Sequence, residues 1–397
     1  MSRLAVALAA VVFAVPAAAQ QPEPPLPAHN GWILFASNRD APPGTGAFGL
    51  QRLEPVGGAV TPLEVTGRYP AWSPDGSLVA FVDGRSRLVV ARGNGQVVSV
   101  LTNGIYPVGD PAWSPDGSRI VFSQSGRRRF RGDLVVAAVD GSSIRRITRT
   151  NHDDVEPTWS SDGSVIAFAS DRPVRLQDDY EINAVRPDGA GLRPLTTNEF
   201  NDRSPAWSPD GSRIAFVSGR TPGILNPELW TMAPSGGSES RVQLATAPES
   251  WGLHVWSDTS PAWSPDGRWL AYVTTQRWAW DDIFLVEVDT GTKFDMTPEA
   301  ASFDLDPAWQ PLCHVMGTSA GDVQRGTSFD DLVCGFDGDD TLVGGPGRDR
   351  LFGGFGKDAI RARDGEQDIV GCGAGRDDVV ADRVDLVGVD CERVRRR

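Results

Sequence analysis

The stretch PAWSPDGSRIAFVS at residues 205–218 is one copy of a motif that recurs along most of the chain. Close copies begin at residues 70, 111, 157 and 261, and a shortened copy, DPAWQP, ends the series at residues 306–311. Repeats spaced by about 40–50 residues predict stacked supersecondary units, none of which can bury its apolar face alone. The marker tryptophan of the motif occurs at Trp72, Trp113, Trp159, Trp207, Trp263 and Trp309.

Each copy of the motif predicts a tight turn followed by a strand. Pro presets one backbone angle of the turn, Asp bonds to its own backbone, and Gly accepts the positive φ that follows. The β-branched and aromatic run at residues 213–217 is typical of a strand. A third strand is predicted at residues 133–139, 180–185, 228–232 and 282–288, and a fourth ends near a Leu-Thr pair. Four strands per repeat are the content of a propeller blade.

The sixth copy is split between the two ends of this region. GWILFASNRD at residues 31–40 has the second half of the motif, and residues 306–311 have the first half. A ring of blades has no open sheet edge when the last blade borrows a strand from the other terminus. We therefore expect an all-β fold, in which a six-bladed β-propeller at residues 31–311 is closed by an N-terminal strand.

The repeat PAWSPDGSxIAF with a downstream Leu-Thr resembles the WD-like repeats of TolB-type β-propellers. The resemblance covers about residues 31–311 and implies the propeller fold. It also implies one candidate function, that of a TolB-like periplasmic assembly component. Because propellers carry many unrelated functions, the fold itself does not choose among them.

From residue 317 the period changes to nine residues. Asp is the sixth residue of each block, and after one inserted residue the register returns; the series is Asp322, Asp331, Asp340, Asp349, Asp358, Asp368 and Asp377. An apolar residue recurs near the eighth place, at Leu332, Leu342, Leu351 and Ile360. Gly lets carbonyls approach an ion, and Asp supplies anionic oxygen. This register argues against the alternative of a disordered Gly/Asp-rich tail.

These blocks resemble the RTX, or hemolysin-type, calcium-binding repeats over about residues 317–380. The resemblance implies a parallel β-roll at residues 312–397, with residues 362–394 as a cap, that binds Ca²⁺ between Asp331 and Asp349 and between Asp340 and Asp358. Thr follows the first Gly of the two earliest blocks, which departs from the family pattern. We expect folding that depends on millimolar calcium. The implied metal-binding residues are Asp331, Asp340, Asp349, Asp358, Asp368, Asp377, Gly335, Gly344, Gly345, Gly347, Gly353, Gly354 and Gly356.

The N-terminus predicts export. Arg3, an apolar run and three Ala residues ending at Ala19 form a secretory signal peptide at residues 1–19, followed by a Pro-rich linker at residues 20–30. The expected location is extracellular, with the periplasm as the alternative. A net charge of −14 argues against nucleic acid as a partner, and no later stretch is long and apolar enough to span a bilayer.

Four cysteines, all after the propeller region, fit an oxidising compartment. They allow three pairings. Their spacing favours two local disulfides, Cys372 with Cys391 and Cys313 with Cys334.

A ligand is expected on the propeller face that carries the long loops. The loop candidates for binding a protein or glycan are Trp251, His254, Trp256, Trp278 and Trp280, which could equally form a small apolar core of their own. Acids precede the strand-opening Pro at Asp110, Asp154, Glu156, Asp202, Asp258, Asp304 and Asp306; they either form structural Asx turns or line the channel mouth, where they would bind a cation.

No His pair has metal-ligand spacing, and the GxSxG match at residues 317–321 lies in the nonapeptide register. A non-catalytic binding protein is therefore expected. The alternative is a polysaccharide lyase or hydrolase, or a peptidase-like enzyme, that uses His152 or His254.

Overall fold

The structure is a computed structural model, and it describes residues 30–41, 47–55, 58–126, 131–172, 179–220, 228–243, 258–276, 280–298, 302–311, 313–318 and 320–396. Every regular element in these ranges is a β-strand. The described part of the chain contains no helix with the length and hydropathy of a membrane span.

The first 23 strands form antiparallel sheets. In chain order they are β1 (Asn30–Ser37), β2 (Gly49–Leu53), β3 (Val60–Trp72), β4 (Leu78–Asp83), β5 (Leu88–Arg92), β6 (Val97–Val100), β7 (Val108–Trp113), β8 (Arg119–Ser125), β9 (Gly132–Ala138), β10 (Ile144–Arg146), β11 (Asp154–Trp159), β12 (Ile166–Ser170), β13 (Glu181–Val185), β14 (Arg193–Pro194), β15 (Asp202–Trp207), β16 (Ile214–Ser218), β17 (Glu228–Met232), β18 (Ser240–Arg241), β19 (Asp258–Trp263), β20 (Trp269–Gln276), β21 (Trp280–Glu287), β22 (Lys293–Asp295) and β23 (Asp304–Pro311).

These strands form six blades of four strands each, as the repeat predicts. Blade 1 contains the second half of β3 with β4, β5 and β6, and blades 2 to 5 follow as β7–β10, β11–β14, β15–β18 and β19–β22. Each blade begins with the strand that contains the motif Trp. The architecture inferred from the repeats is therefore confirmed.

Blade 6 closes the ring between the two ends of the propeller region. β23 pairs antiparallel with β1, with Ile33 opposite Trp309 and Ser37 opposite Asp304. β1 pairs with β2, and β2 pairs with the first half of β3. The N-terminal region thus supplies three of the four strands, whereas the half motif indicated one. The reason is that β3 continues from the outer edge of blade 6 into the inner position of blade 1.

The motif Trp side chains pack between blades. Trp113, Trp159 and Trp263 each donate a hydrogen bond from Nε1 to the motif alanine of the preceding blade, at 3.0–3.2 Å for the carbonyls of Ala71, Ala112 and Ala206. The turn aspartates bind their own turns, as Ser118 N–H donating to Asp116 Oδ1 at 3.0 Å illustrates. Both sets of motif residues therefore have structural roles.

The remaining strands form two five-stranded parallel sheets. Sheet G has the order β24-β26-β28-β30-β32 and sheet H the order β25-β27-β29-β31-β33. Their apolar side chains, including Leu342, Leu351, Ile360 and Val370, meet between the sheets in one buried core. The strands are β24 (Val315–Met316), β25 (Val323–Arg325), β26 (Leu332–Asp337), β27 (Thr341–Val343), β28 (Arg350–Gly356), β29 (Ala359–Ala362), β30 (Ile369–Gly375), β31 (Asp378–Ala381), β32 (Leu386–Val387) and β33 (Arg393–Arg396).

Both expected disulfides are present in the roll. Cys313 bonds to Cys334, and Cys372 bonds to Cys391. The first joins the residue that follows the propeller to β26, and the second joins β30 to the last coil. The segment at residues 362–394, expected to be a cap, continues both parallel sheets through β30–β33.

The roll lies against the propeller face that carries the Pro-Asp-Gly turns. Arg350 donates to the carbonyl of Pro209 in blade 4 at 2.9 Å, and Cys313 Sγ lies 3.3 Å from the carbonyl of Asp75 in blade 1. A Cβ on Gly371 would lie 2.1 Å from the carbonyl of Asp116 in blade 2. Blades 1 and 4 are opposite each other in a ring of six, so the roll crosses the propeller axis and covers this mouth of the channel.

Candidate functional site

The predicted metal ligands lie in the turns that join the two sheets of the roll. The predicted glycines Gly335, Gly344, Gly345, Gly347, Gly353, Gly354 and Gly356 lie in or beside the same turns. The aspartates form two columns, one on each edge of the roll, with Asp331, Asp349 and Asp368 in the first and Asp340, Asp358 and Asp377 in the second.

A hydrogen-bond ladder holds each column. The backbone N–H of Asp340 donates to Asp358 Oδ1 at 2.8 Å, and the N–H of Asp358 donates to Asp377 Oδ1 at 2.8 Å. The N–H of Asp349 binds Asp368 Oδ1 in the same way. One oxygen of each carboxylate is therefore used to fix the spacing of the turns.

The second oxygen of these carboxylates is different, because it is buried and has no hydrogen-bond partner among the described residues. This is true of Oδ2 in Asp340, Asp349, Asp358, Asp368 and Asp377. A buried anionic oxygen without a partner is costly, so each one calls for a compensating positive charge.

Backbone carbonyl oxygens converge on the same places. A Cβ built on Gly335 would lie 2.3 Å from the carbonyl oxygen of Gly353 and 2.5 Å from Asp340 Oδ2. A Cβ on Gly353 would lie 2.4 Å from Asp358 Oδ2 and 2.7 Å from the carbonyl oxygen of Cys372. Paired carboxylates with several carbonyl oxygens are the donor set that Ca²⁺ prefers. The residues present therefore fit a calcium ion.

Glycine is required where the turns stack most closely. Gly354 and Gly356 have φ values of 104° and 142°, which favour glycine. Added Cβ atoms would lie 2.0 Å from the carbonyl oxygen of Phe336 and 1.8 Å from that of Gly338. A side chain at either place would separate the two turns.

The electrostatics of the columns agree with the geometry. Burial, and after it the charges of Asp377 and Asp340, raises the pKa of Asp358 to about 7. Burial and the charges of Asp349 and Asp385 raise the pKa of Asp368 to about 8. Without a cation, the ionised forms of these groups are therefore unfavourable near neutral pH.

Asp331 differs from the other predicted ligands. Its Oδ2 accepts hydrogen bonds from the backbone N–H and the hydroxyl of Thr327, at 2.5 and 2.9 Å. Thr318 binds Asp322 Oδ2 in the same manner, at 2.7 Å. Thr318 and Thr327, which depart from the repeat pattern, thus donate the hydrogen bonds that Asp322 and Asp331 accept with their second carboxylate oxygen.

The columns also extend beyond the residues predicted from the repeat. Asp368 N–H donates to Asp385 Oδ1 at 3.1 Å, and Asp377 N–H donates to Glu392 Oε2 at 2.9 Å. Arg396 donates to the carbonyls of Asp382 and Asp385 at 3.0 Å. Sequence reasoning missed Asp385 and Glu392 because the last coil is shorter than the repeat period. Within the described ranges, no group of three or more His, Cys, Asp or Glu side chains is placed to hold a metal by itself.

The acids three residues before the motif Pro are structural ion pairs rather than Asx turns. Asp154 lies 2.7 Å from Arg172 and also accepts from Ser170, and its side chain is fully buried. Asp202 pairs with Arg220, and Asp304 pairs with Arg39. The side chain of Asp258 lies outside the described residues. Each of the three described carboxylates is thus paired with an Arg of the chain, although Asp202 Oδ1 has no hydrogen-bond partner of its own.

The acids directly before the motif Pro line the inner wall of the propeller. Asp110, Glu156 and Asp306 have φ values of 51–55°, at a bulge of the innermost strand. Glu156 Oε2 accepts the backbone N–H of Ser204 in the next blade at 2.7 Å. Burial, and after it the charges of Glu156 and Asp306, raises the pKa of Asp110 to about 7. These side chains connect neighbouring blades.

The residues predicted for the ligand face fall mostly outside the described ranges. Trp251, His254, Trp256 and Trp278 lie outside the described residues, and only the backbone of Trp280 is described, as the first residue of β21. His152 is described, and its Nδ1 lies 3.3 Å from Asp171 Oδ1.

The fold and the turn chemistry define a β-propeller joined to a calcium-type β-roll, and comparison with known families agrees. Residues 66–177 match the TolB beta propeller domain, and residues 335–366 match the RTX calcium-binding nonapeptide repeat in four copies. The chain therefore carries TolB-type propeller repeats followed by RTX-type repeats, which confirms both resemblances.

Solved structures show the same propeller fold. TolB from Acinetobacter baumannii has a TM-score of 0.55 and 21% identity, covering 71% of this chain and 67% of that one. A putative TolB from Agrobacterium tumefaciens has a TM-score of 0.51 and 18% identity, covering 72% and 100%. A chain of the nidogen/laminin complex has a TM-score of 0.53 and 13% identity, covering 70% and 98%. No curated protein sequence matches the chain.

Proposed function

We propose that this protein is an exported calcium-binding protein whose propeller binds a protein or glycan without catalysis. The observation that carries the calcium part is the series of buried, unpartnered Oδ2 atoms from Asp340 to Asp377, of which those of Asp340 and Asp358 lie beside carbonyl oxygens of a stacked turn. Asp340 with Asp358, Asp358 with Asp377, and Asp349 with Asp368 would hold the ions. Asp331 contributes less, because Thr327 already occupies its second oxygen.

A calorimetric calcium titration of the full chain, freed of metal by chelation, tests this part of the proposal. We expect saturable binding of more than one ion, with weaker binding and lower stoichiometry in Asp358→Asn. An exposed carboxylate, Glu366, provides the matched control as Glu366→Gln. Absence of binding heat and of any calcium-dependent change in circular dichroism would contradict the proposal.

The binding role of the propeller is supported by which face the roll occupies among the described residues. The roll covers the face with the Pro-Asp-Gly turns, through Asp75, Asp116 and Pro209. The strand ends that border the connections predicted to bind the ligand, Arg241 with Asp258 and Gln276 with Trp280, lie on the opposite face because strand direction alternates within a blade. A ligand is therefore proposed to bind the long-loop side.

Export is supported by the oxidised state of the roll. All four cysteines are paired in disulfides, which persist in extracellular and periplasmic compartments. The families matched by the two regions agree with such a location, and the TolB-type repeats keep a periplasmic assembly role as an alternative.

The enzyme alternative rests on His152 and His254. Screening the intact protein on glycan and peptide arrays, followed by turnover assays on each ligand found, separates it from the binding role. We expect binding without turnover, and binding that is unchanged in His152→Ala. Turnover that disappears in His152→Ala or His254→Ala would support the enzyme instead.

A further inference from the structure

Arg92 connects the propeller to the roll through two contacts. It is the last residue of β5 in blade 1, on the face that the roll covers. Its Nη1 and Nη2 atoms each lie 3.2 Å from Asp337 Oδ1. Its guanidinium also lies over the ring of Phe355, 4.6 Å from the centroid. A forked contact with a carboxylate combined with stacking is a geometry that Arg can make and Lys cannot.

The two partners of Arg92 belong to neighbouring turns of the roll. Asp337 and Phe355 are register partners in β26 and β28. Asp337 leads into the turn that ends at Asp340, and Phe355 leads into the turn that ends at Asp358. These aspartates have the unpartnered Oδ2 atoms described above, so Arg92 spans the two turns between which one calcium ion would be held.

We propose that Arg92 is a positioning residue for this calcium site, so that calcium binding at Asp340 and Asp358 and docking of the roll on blade 1 stabilise each other. The inference rests on the proposed calcium binding by the roll. Fixing the spacing of the turns before the ion arrives lowers the ordering cost of binding. Because the coupling is reciprocal, the ion must strengthen the Arg92 contact by the same factor.

The expected size of the coupling follows from the exposure of the contact. The side chains of Arg92 and Asp337 are 35% and 43% exposed, so solvent weakens their attraction. Loss of an exposed ion pair together with a cation–π contact should weaken the calcium affinity of the site at Asp340 and Asp358 about fivefold. The effect should be confined to the turns at residues 335–340 and 353–358.

Peptide-resolved hydrogen exchange of the full chain, measured across a calcium titration, tests the inference. In Arg92→Ala, the calcium concentration at which residues 335–340 and 353–358 become half protected should rise about fivefold relative to the unmodified chain. The half-protection point of the Asp349 and Asp368 turns, at residues 344–349 and 363–368, should stay unchanged. In the unmodified chain, residues 84–96 of the propeller should gain protection with calcium, and Arg92→Ala should remove that gain.

Two variants sharpen the result. Arg92→Lys keeps the charge and loses the forked and stacked contacts, so a shift of about twofold is expected. Arg361→Ala removes an exposed Arg from sheet H, away from the propeller, and should shift nothing. An unchanged midpoint in Arg92→Ala, or an equal shift at all turns, would overturn the inference while leaving calcium binding intact. If the unmodified chain showed no calcium-dependent protection in the roll, the proposed function would fail as well.

Discussion

Buried carboxylates occur in both the propeller and the roll, and the two regions neutralise them differently. In the propeller, Asp154 and Asp202 are fully buried, and each pairs with an Arg of the same blade. In the roll, Asp340 and Asp358 are equally buried, but neither forms an ion pair among the described residues, and each faces further carboxylates. Arg side chains thus compensate Asp154 and Asp202 in the propeller, whereas cations from solution are expected to compensate the aspartates of the roll. Stability should therefore depend on calcium in the roll alone.

Removing calcium is expected to have the largest effect. Excess EDTA should abolish hydrogen-exchange protection in β26–β31 and leave the blades protected. Each ion bound at a hundredfold excess over its dissociation constant contributes about 2.7 kcal/mol, so the loss of several ions exceeds the stability expected of so thin a core.

Magnesium provides the control for this experiment. Mg²⁺ requires a tight octahedral shell and keeps several of its waters, so it should not restore the protection that calcium restores. Full protection of the roll in EDTA would show that the two regions do not differ in the way described. Equal loss in blades and roll would also contradict the comparison.

Breaking an internal ion pair of the propeller is expected to have the next largest effect. Asp154→Asn leaves Arg172 buried without its carboxylate, which should lower the free energy of unfolding by about 3 kcal/mol. The loss should be the same with calcium and with EDTA, as measured by urea unfolding followed by tryptophan fluorescence. Asp289→Asn is the control, because Asp289 is 80% exposed in its pair with Arg213 and should matter by less than about 0.5 kcal/mol. A calcium-dependent loss in Asp154→Asn would contradict the independence of the two regions.

An Asp→Asn substitution in the roll, Asp358→Asn, should change the stability of the roll in a direction that depends on calcium. At pH 8 in EDTA, Asp358→Asn removes a buried charge whose pKa is raised to about 7, so the roll should become more stable by about 1–2 kcal/mol. With calcium, the neutral amide is a weaker ligand, and the roll should become less stable than the unmodified one. In EDTA, where most of the roll is unfolded, the gain is measured as a larger folded fraction by circular dichroism; with calcium, the loss is measured by thermal unfolding. A change of the same sign in both conditions would argue against Asp358 as a ligand.

The fold was predictable because its repeats constrain the residues that build it. The motif Trp and the Pro-Asp-Gly turns define the blades, and the half motif at residues 31–40 indicates where the ring closes. The number of borrowed strands was not predictable, because β2 and the first half of β3 carry no part of the motif. Only the pairing of β2 with β3 reveals them.

The two aspartate columns were predictable for a similar reason, while the docking of the roll was not. The nonapeptide fixes Asp and Gly, but it leaves the outward-facing positions free. In sheet G these positions hold Leu332, Cys334 and Phe352, which are buried in the cluster that contains Cys313. A single sequence does not show that this sheet has an apolar outer face, because the repeat allows any residue there. For the same reason, the contacts of Arg92 with Asp337 and Phe355 could not be predicted from the sequence.

Asp282 and the channel acids are exceptions within the propeller, because burial and neighbouring carboxylates raise the pKa of Asp282 to about 7 as well. The channel acids give the smallest of the expected effects. Asp110 accepts from Ser123 at 3.1 Å but forms no ion pair with a described residue, and its pKa is raised to about 7 by burial, Glu156 and Asp306. Between about pH 4 and 7 the folded protein therefore holds a proton that the unfolded chain has released. The linkage relation then requires stability to fall as pH rises through this window.

Asp110→Asn removes the titrating carboxyl group, and with it the part of the pH dependence of stability that this group causes. The side chain is partly exposed to the channel, so the variant should gain only about 1–2 kcal/mol relative to the unmodified protein between pH 4 and pH 8. Urea unfolding at several pH values, with calcium present to keep the roll folded, measures the slope, and Asp289→Asn should leave it unchanged. An unchanged slope in Asp110→Asn would mean that the propeller neutralises its channel carboxylates as fully as it neutralises Asp154. The contrast with the roll would then extend to the channel acids.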